Sequence, residues 1–178
     1  MRGGRRALLG ALLGALLGTG TLAGCGFRPL YGERTAPTDT AAGDLAATRV
    51  ALIADREGQL LRQALQQRLG SDRGGAARYE VTVRVVFRRD QIGVRRDDTA
   101  TRNRVTALAE YVVRPLSGPG EAIVSGRSQA VDAFNVGSDQ YFAAQLSGEA
   151  AVRRMTERLA EDITFQLAAF FASRRQPA

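Results

Sequence analysis

The chain has 178 residues, 25 cations against 18 acids for a net charge of +7, one cysteine, and neither histidine nor tryptophan. Every cation is an arginine. Without histidine or lysine there is no Ser-His-Asp triad, no imidazole metal ligand, no Schiff base and no phosphate-loop lysine, so the composition favours binding or assembly over catalysis.

Residues 1–6 carry Arg2, Arg5 and Arg6, residues 7–17 are wholly apolar or glycine, and Leu22-Ala23-Gly24-Cys25 follows. A charged segment, an apolar core and small residues at a cleavage point are the order of a secretory signal over 1–24. The uncharged run 7–27 also has the length of a transmembrane anchor, but its apolar centre is short and the remainder is rich in glycine and threonine. Leu-Ala-Gly-Cys resembles the lipobox of bacterial lipoproteins, which implies a covalent lipid on Cys25, and no other cofactor is expected. The only thiol would then be consumed, so no disulfide forms even in an oxidising compartment. Acyl chains on the side chain and the amino group hold a membrane firmly, at about 0.8 kcal/mol per buried methylene. Gly26, in place of an aspartate after the cysteine, resembles lipoproteins delivered to the outer membrane.

The opening Cys25-Gly26-Phe27-Arg28-Pro29-Leu30-Tyr31-Gly32 resembles that of the LPS-assembly lipoprotein family LptE in its alphaproteobacterial form, and the later order of elements is similar. The resemblance implies a non-enzymatic lipoprotein, lipid-anchored in the outer membrane. Its partner would be the outer-membrane β-barrel LptD, which it partly plugs while helping lipopolysaccharide reach the outer leaflet. It also implies that Phe27, Arg28, Pro29, Leu30 and Tyr31 lie against the membrane or the barrel.

Residues 33–47 are mostly Ala, Thr, Pro, Asp and Gly, with Leu45 the single large apolar side chain. Together with the anchor, 25–47 reads as a tether, whose last 15 or so residues would reach about 50 Å when drawn out; a plain surface loop explains the same composition. The folded domain is expected over 48–173, with 174–178 as a tail. Residues 49–54 form an apolar run of strand length. Asp55 is placed to cap a helix with Leu61, Ala64, Leu65 and Leu69 on one face, and Gly70 to end it.

Tyr79, Val81, Val83, Val85 and Phe87 alternate with mostly polar neighbours, the period of a half-buried strand. The apolar phase then changes to Ile92 and Val94, which predicts a bulge or break at 89–91. Asp97, Asp98 and Thr99 supply turn chemistry. Val105, Ala107, Ala109, Tyr111 and Val113 make a second alternating strand, ended by Pro115 and the turn at 117–120. A weaker strand follows over 123–133, interrupted by Gly126 and Ser128.

Tyr141, Ala144, Gly148, Val152, Met155, Leu159, Ile163, Leu167 and Phe170 recur every three or four residues and predict a helix over about 139–172. Gly148 costs about 1 kcal/mol inside a helix but sits on the stripe, where a missing side chain permits close approach to a sheet. A loop at Ser147-Gly148 before a shorter helix is the alternative. The resulting order, β-α-β-β-β-α, gives a two-layer α+β domain: one four-stranded mixed sheet covered on one face by two helices.

After removal of the signal the net charge would be +4, and residues 84–104 alone carry +4: Arg84, Arg88, Arg89, Arg95, Arg96, Arg102 and Arg104 against Asp90, Asp97 and Asp98. One hairpin thus holds the whole excess, a footprint for an anion or else a solvated face with Arg-Asp pairs. Nucleic acid is not the expected partner, because the chain carries an export signal and Phe87 is the only aromatic in the segment. With the family resemblance the anion becomes lipopolysaccharide, whose phosphates and carboxylates suit the guanidinium fork. Arg88, Arg89, Arg95, Arg96, Arg102 and Arg104 are its candidate contacts. Two other readings stay open: an auxiliary lipoprotein of another envelope lipid or solute transport system, and a carboxylate glycosidase. Against the second, Glu157, Glu161 and Asp162 fall beside Arg153, Arg154 and Arg158 at pairing distance on one helix.

Overall fold

Strand periodicity sets the architecture. In the computed structural model, which describes residues 40–73, 75–94, 100–136 and 141–175, the two alternating segments form long strands β2 (Tyr79–Val94) and β3 (Ala100–Pro115), paired antiparallel. β3 pairs antiparallel with β4 (Val124–Asn135), and the short strand β1 (Thr48–Val50) lies parallel to the start of β2. The sheet order is β1-β2-β3-β4. β1 covers only Tyr79, Glu80 and Val81, so among the described residues the outer edge of β2 beyond Val81 has no partner strand.

The odd-numbered residues of β2 and β3 face the helices, as their alternation predicts. Val81, Val83, Val105, Ala107, Ala109, Tyr111 and Val113 are buried, and Tyr79, Val85 and Phe87 pack against them half-buried. The change of phase in β2 also has its irregularity, which falls between Gln91 and Val94 and not at 89–91. Ile92 is the extra residue on β2 and Thr101 the extra residue on β3, and β2 continues to Val94.

Two helices cover that face. Helix α2 (Asp55–Leu69) buries Leu61, Leu65 and Leu69, and Gly70 ends it in the left-handed region at φ +73°. Asp55 does not cap it. Asp55 is itself the first helical residue, at φ +66°, and the preceding Ala54 has no side chain able to accept. Gln59 Nε2 donates instead to the Ile53 carbonyl. The entry is tight, because a Cβ at Gly58 would stand 2.7 Å from Ile53 Cγ2.

Helix α3 (Tyr141–Ser173) runs unbroken through Gly148 for 33 residues, about 50 Å. Met155, Leu159, Ile163 and Leu167 are fully buried along it. Gly148 acts as its position suggests: a Cβ there would lie 3.1 Å from the Phe134 ring of β4. The two ends of the expected stripe depart from it. Tyr141 is exposed, because Phe134 near the end of β4 already lies under Gly148 and the turns before have no strand beneath them. At the other end Phe171, not Phe170, is buried, packing on Tyr79 at 5.1 Å between ring centroids.

Residues 41–46, read as the close of the tether, are helical. Thr40 caps helix α1 (Ala41–Ala46) by accepting from the Gly43 amide at 3.1 Å, and Leu45 enters the core. Asp44 is buried beside it, with 5% of its side chain exposed. Its Oδ1 accepts from Arg78 Nη2 at 2.6 Å, and its Oδ2 accepts from Arg175 Nη2 at 2.5 Å and Nε at 3.0 Å. One carboxylate therefore joins α1, the approach to β2 and the residues after α3. The element order becomes α-β-α-β-β-β-α, with the four-stranded mixed sheet and two-layer α+β plan as expected.

Candidate functional site

The same alternation that buries the odd residues of β2 and β3 turns their even residues to the other face of the sheet. Register then fixes the neighbours across three strands: Arg84-Glu110-Arg127, Val86-Leu108-Gln129, Arg88-Thr106-Val131 and Asp90-Arg104-Ala133. Arg102, two residues from Arg104 on β3, shares this face opposite Asn135. Val86, Leu108 and Val131 are exposed at 44%, 39% and 45% and form a diagonal apolar strip. Arginines flank it on both sides. Arg84, Arg88, Arg102, Arg104 and Arg127 make no ion pair among the described residues. A flat apolar strip bordered by free guanidinium groups suits an anionic amphiphile, since each fork can meet a phosphate or carboxylate in two hydrogen bonds.

Of the six arginines expected to act together, the structure places Arg88, Arg102 and Arg104 on this open face. Arg89 belongs to the opposite face, because successive side chains of a strand alternate. Arg95 and Arg96, with Asp97, Asp98 and Thr99, lie outside the described residues. So do Cys25, the signal segment, and Phe27, Arg28, Pro29, Leu30 and Tyr31. Arg84 and Arg127 join the face without having been candidates; the parity of Arg84 with Arg88 and the pairing of β4 were the signals for them.

Arg89 opens instead into a cleft of about 450 Å³ at the end of the covered face. The sheet supplies Arg89, Asn103 and Phe134 to it, α2 supplies Arg56, Glu57 and Leu60, and α3 supplies Ala144, Gly148, Glu149 and Arg153 with the exposed Tyr141. Arg56 reaches Glu149 at 3.8 Å, while Arg89 and Arg153 have no ionic partner among the described residues. Asn103 Oδ1 is buried and accepts no hydrogen bond from the described residues. No spacing in the sequence announces this cleft, since three separate elements build it.

Charged side chains of α3 also serve the fold. Glu161 meets Arg68 of α2 at 3.7 Å, and Arg154 meets Asp132 of β4 at 2.8 Å. These pairs tie the helix to its neighbours and replace the expected pairing along its own surface. Tyr111, buried in the sheet, donates to Gln166 Oε1 at 2.8 Å. Burial pushes its phenol above the ordinary value of 10.0, and the nearby Asp162 carboxylate adds to the effect. Among the described residues no group of His, Cys, Asp and Glu has the makings of a metal site, and no helix is long and apolar enough to cross a membrane.

Comparison with known proteins gives the family and the fold. Residues 45–167 match the model of the family LptE, described as lipopolysaccharide-assembly. No curated protein matches the chain. Among solved structures, a lipoprotein from Caulobacter crescentus CB15 superposes with a TM-score of 0.63 at 25% identity, over 78% of this chain and 98% of that one. The rare lipoprotein B from Shewanella oneidensis gives 0.57 at 14% identity, over 72% and 98%, and a minor lipoprotein from Acinetobacter baumannii gives 0.52 at 15%, over 74% and 98%. The last two share the fold.

Proposed function

The chain belongs to the LptE lipopolysaccharide-assembly family of non-enzymatic lipoproteins, and from that premise we propose that it is held in the outer membrane by lipid on Cys25, pairs with the β-barrel LptD and binds lipopolysaccharide. The ligand meets the open face of the sheet. Arg88, Arg102 and Arg104, with Arg84 and Arg127, receive its phosphates and carboxylates, and Val86, Leu108 and Val131 receive an apolar portion. Arg95 and Arg96 extend the same cationic segment by sequence. Residues 27–31, next to the anchor, lie at the membrane or the barrel. The observation that carries this reading is the coincidence, among the described residues, of unpaired arginines and an exposed apolar strip on the sheet face opposite the helices.

Two measurements test it. Replacing Arg88, Arg102 and Arg104 with Ser weakens lipopolysaccharide binding at least tenfold while stability stays within about 1 kcal/mol, as surface changes usually do. Unchanged binding overturns the ligand assignment. A tag placed after the C-terminus, with mild detergent solubilisation of native outer membranes, brings down one large β-barrel in near equal amount. Recovery of an inner-membrane transporter instead overturns the LptD assignment.

A further inference from the structure

The cleft on the helix side is a separate feature from the open face. Its chemistry is mixed in a particular way. Arg89 and Arg153 enter from β2 and α3 with no ionic partner among the described residues. Arg56 stands nearby in a long contact with Glu149. Asn103 lines the cleft, and its buried amide oxygen has no donor among the described residues; the amide's terminal torsion is soft, so rotation can bring it to an occupant. Buried polar atoms are nearly always satisfied, so this oxygen calls for a hydroxyl or amine. Phe134 and Tyr141 add aromatic surface beside these polar groups. The volume of about 450 Å³ lies within the range of small-molecule sites.

Arg56, Arg89 and Arg153 outnumber Glu57 and Glu149 in the lining, so the cleft favours a phosphate or carboxylate, a lone acceptor selects a hydroxyl, and an aromatic ring accepts the C–H face of a sugar. We propose that the cleft between α2, α3 and the ends of β2 to β4 binds a phosphorylated sugar. It is a second ligand site, on the opposite side of the sheet from the one in the proposed function. Arg89 and Arg153 hold the phosphate, Asn103 accepts from a hydroxyl, and Phe134 packs on the ring. The sugar phosphate is either free or the headgroup of a lipid.

Calorimetric titration of the full chain in mild detergent tests this, with glucose 1-phosphate, glucose and inorganic phosphate as soluble probes and phosphatidylinositol in micelles of the same detergent. Glucose 1-phosphate or phosphatidylinositol binds at least tenfold more tightly than inorganic phosphate or glucose. Binding of the soluble probe assigns a free sugar phosphate, and binding of the micellar probe alone assigns a lipid headgroup. Arg89→Ser with Arg153→Ser, and separately Ala144→Phe, which fills the cleft, each weaken that binding at least tenfold. Arg88→Ser with Arg102→Ser and Arg104→Ser leaves it unchanged. Absence of binding by both glucose 1-phosphate and phosphatidylinositol, whose phosphorylated cyclitol stands in for a sugar headgroup, equal binding of inorganic phosphate, or loss only in the open-face variant overturns the site. The last of these leaves the proposed function intact.

Discussion

Asp44→Ala removes the carboxylate on which the two ends of the folded domain converge. Hydrogen bonds to a charged group contribute about 1.5–3 kcal/mol each when well buried. The Asp44 side chain is 5% exposed, but those of Arg78 and Arg175 are 44% and 35% exposed, so solvent screens part of each contact. Both guanidinium groups can also turn to water once the acid is gone, which keeps the loss below the 3–5 kcal/mol typical of breaking a fully buried pair. The expected cost is about 2–3 kcal/mol. At roughly 3–4 °C per kcal/mol for a domain of this size, Tm falls by about 6–12 °C. Thermal and urea denaturation followed by circular dichroism reads this out. Arg175→Ala alone costs less, and the double variant loses less than the sum of the two. A change under about 0.5 kcal/mol in Asp44→Ala, or strict additivity with Arg175→Ala, refutes the account of Asp44 as the joint between α1 and the end of α3.

Two further outcomes follow from Tyr111. Gly126→Ala places a Cβ 2.5 Å from the Tyr111 hydroxyl, which forces the ring off Gln166; denaturation should show a loss of about 2–4 kcal/mol from overpacking plus a broken buried hydrogen bond. Because the folded phenol is raised above the 10.0 of the unfolded chain, the neutral form favours the fold. Stability is unaffected by this group below pH 10 and declines as pH rises from there through the folded value, since the unfolded chain loses its proton first. Urea midpoints measured from pH 9 to 11.5 should fall more steeply in the parent than in Tyr111→Phe; parallel profiles would show that the phenol is not the cause.

What the residue pattern announced was the local part of the structure. Alternation from Val105 to Val113 named the buried face of β3 residue by residue, and Gly148 on a helical stripe announced close contact with the sheet. Each depends only on side chains a few positions apart. The pattern failed where a distant residue decides. Leu167 is followed by apolar side chains at both three and four residues; Phe171 follows the buried Thr164 and Ala168, a second edge of the stripe that small and polar residues conceal, and Tyr79 packs on it from far back in the chain. Leu45 stood alone in an Ala-Thr-Pro segment, and its helix became part of the domain through Arg78 and Arg175. Of the arginine candidates, parity separates Arg88 from Arg89, a consequence available from the strand period alone. The cleft required the crossing of α2 and α3 over the strand ends, which no single segment encodes.

The short reach of β1 has a bearing on how the arginines can be studied. Among the described residues the outer edge of β2 beyond Val81 has backbone donors and acceptors without a partner strand, the template on which strands of separate molecules join. Arg84, Arg88, Arg89 and Asp90 stand along that edge, and the register with β3 slips at Ile92, the kind of bulge that bends a strand. Charge and bend are common means of keeping such edges apart. The arginines of β2 therefore guard solubility as well as facing a ligand. Removing Arg84, Arg88 and Arg89 together opens the way to intermolecular pairing, whereas a variant that removes one of them leaves two charges on the edge, and Arg→Lys keeps all the repulsion and removes only the planar fork.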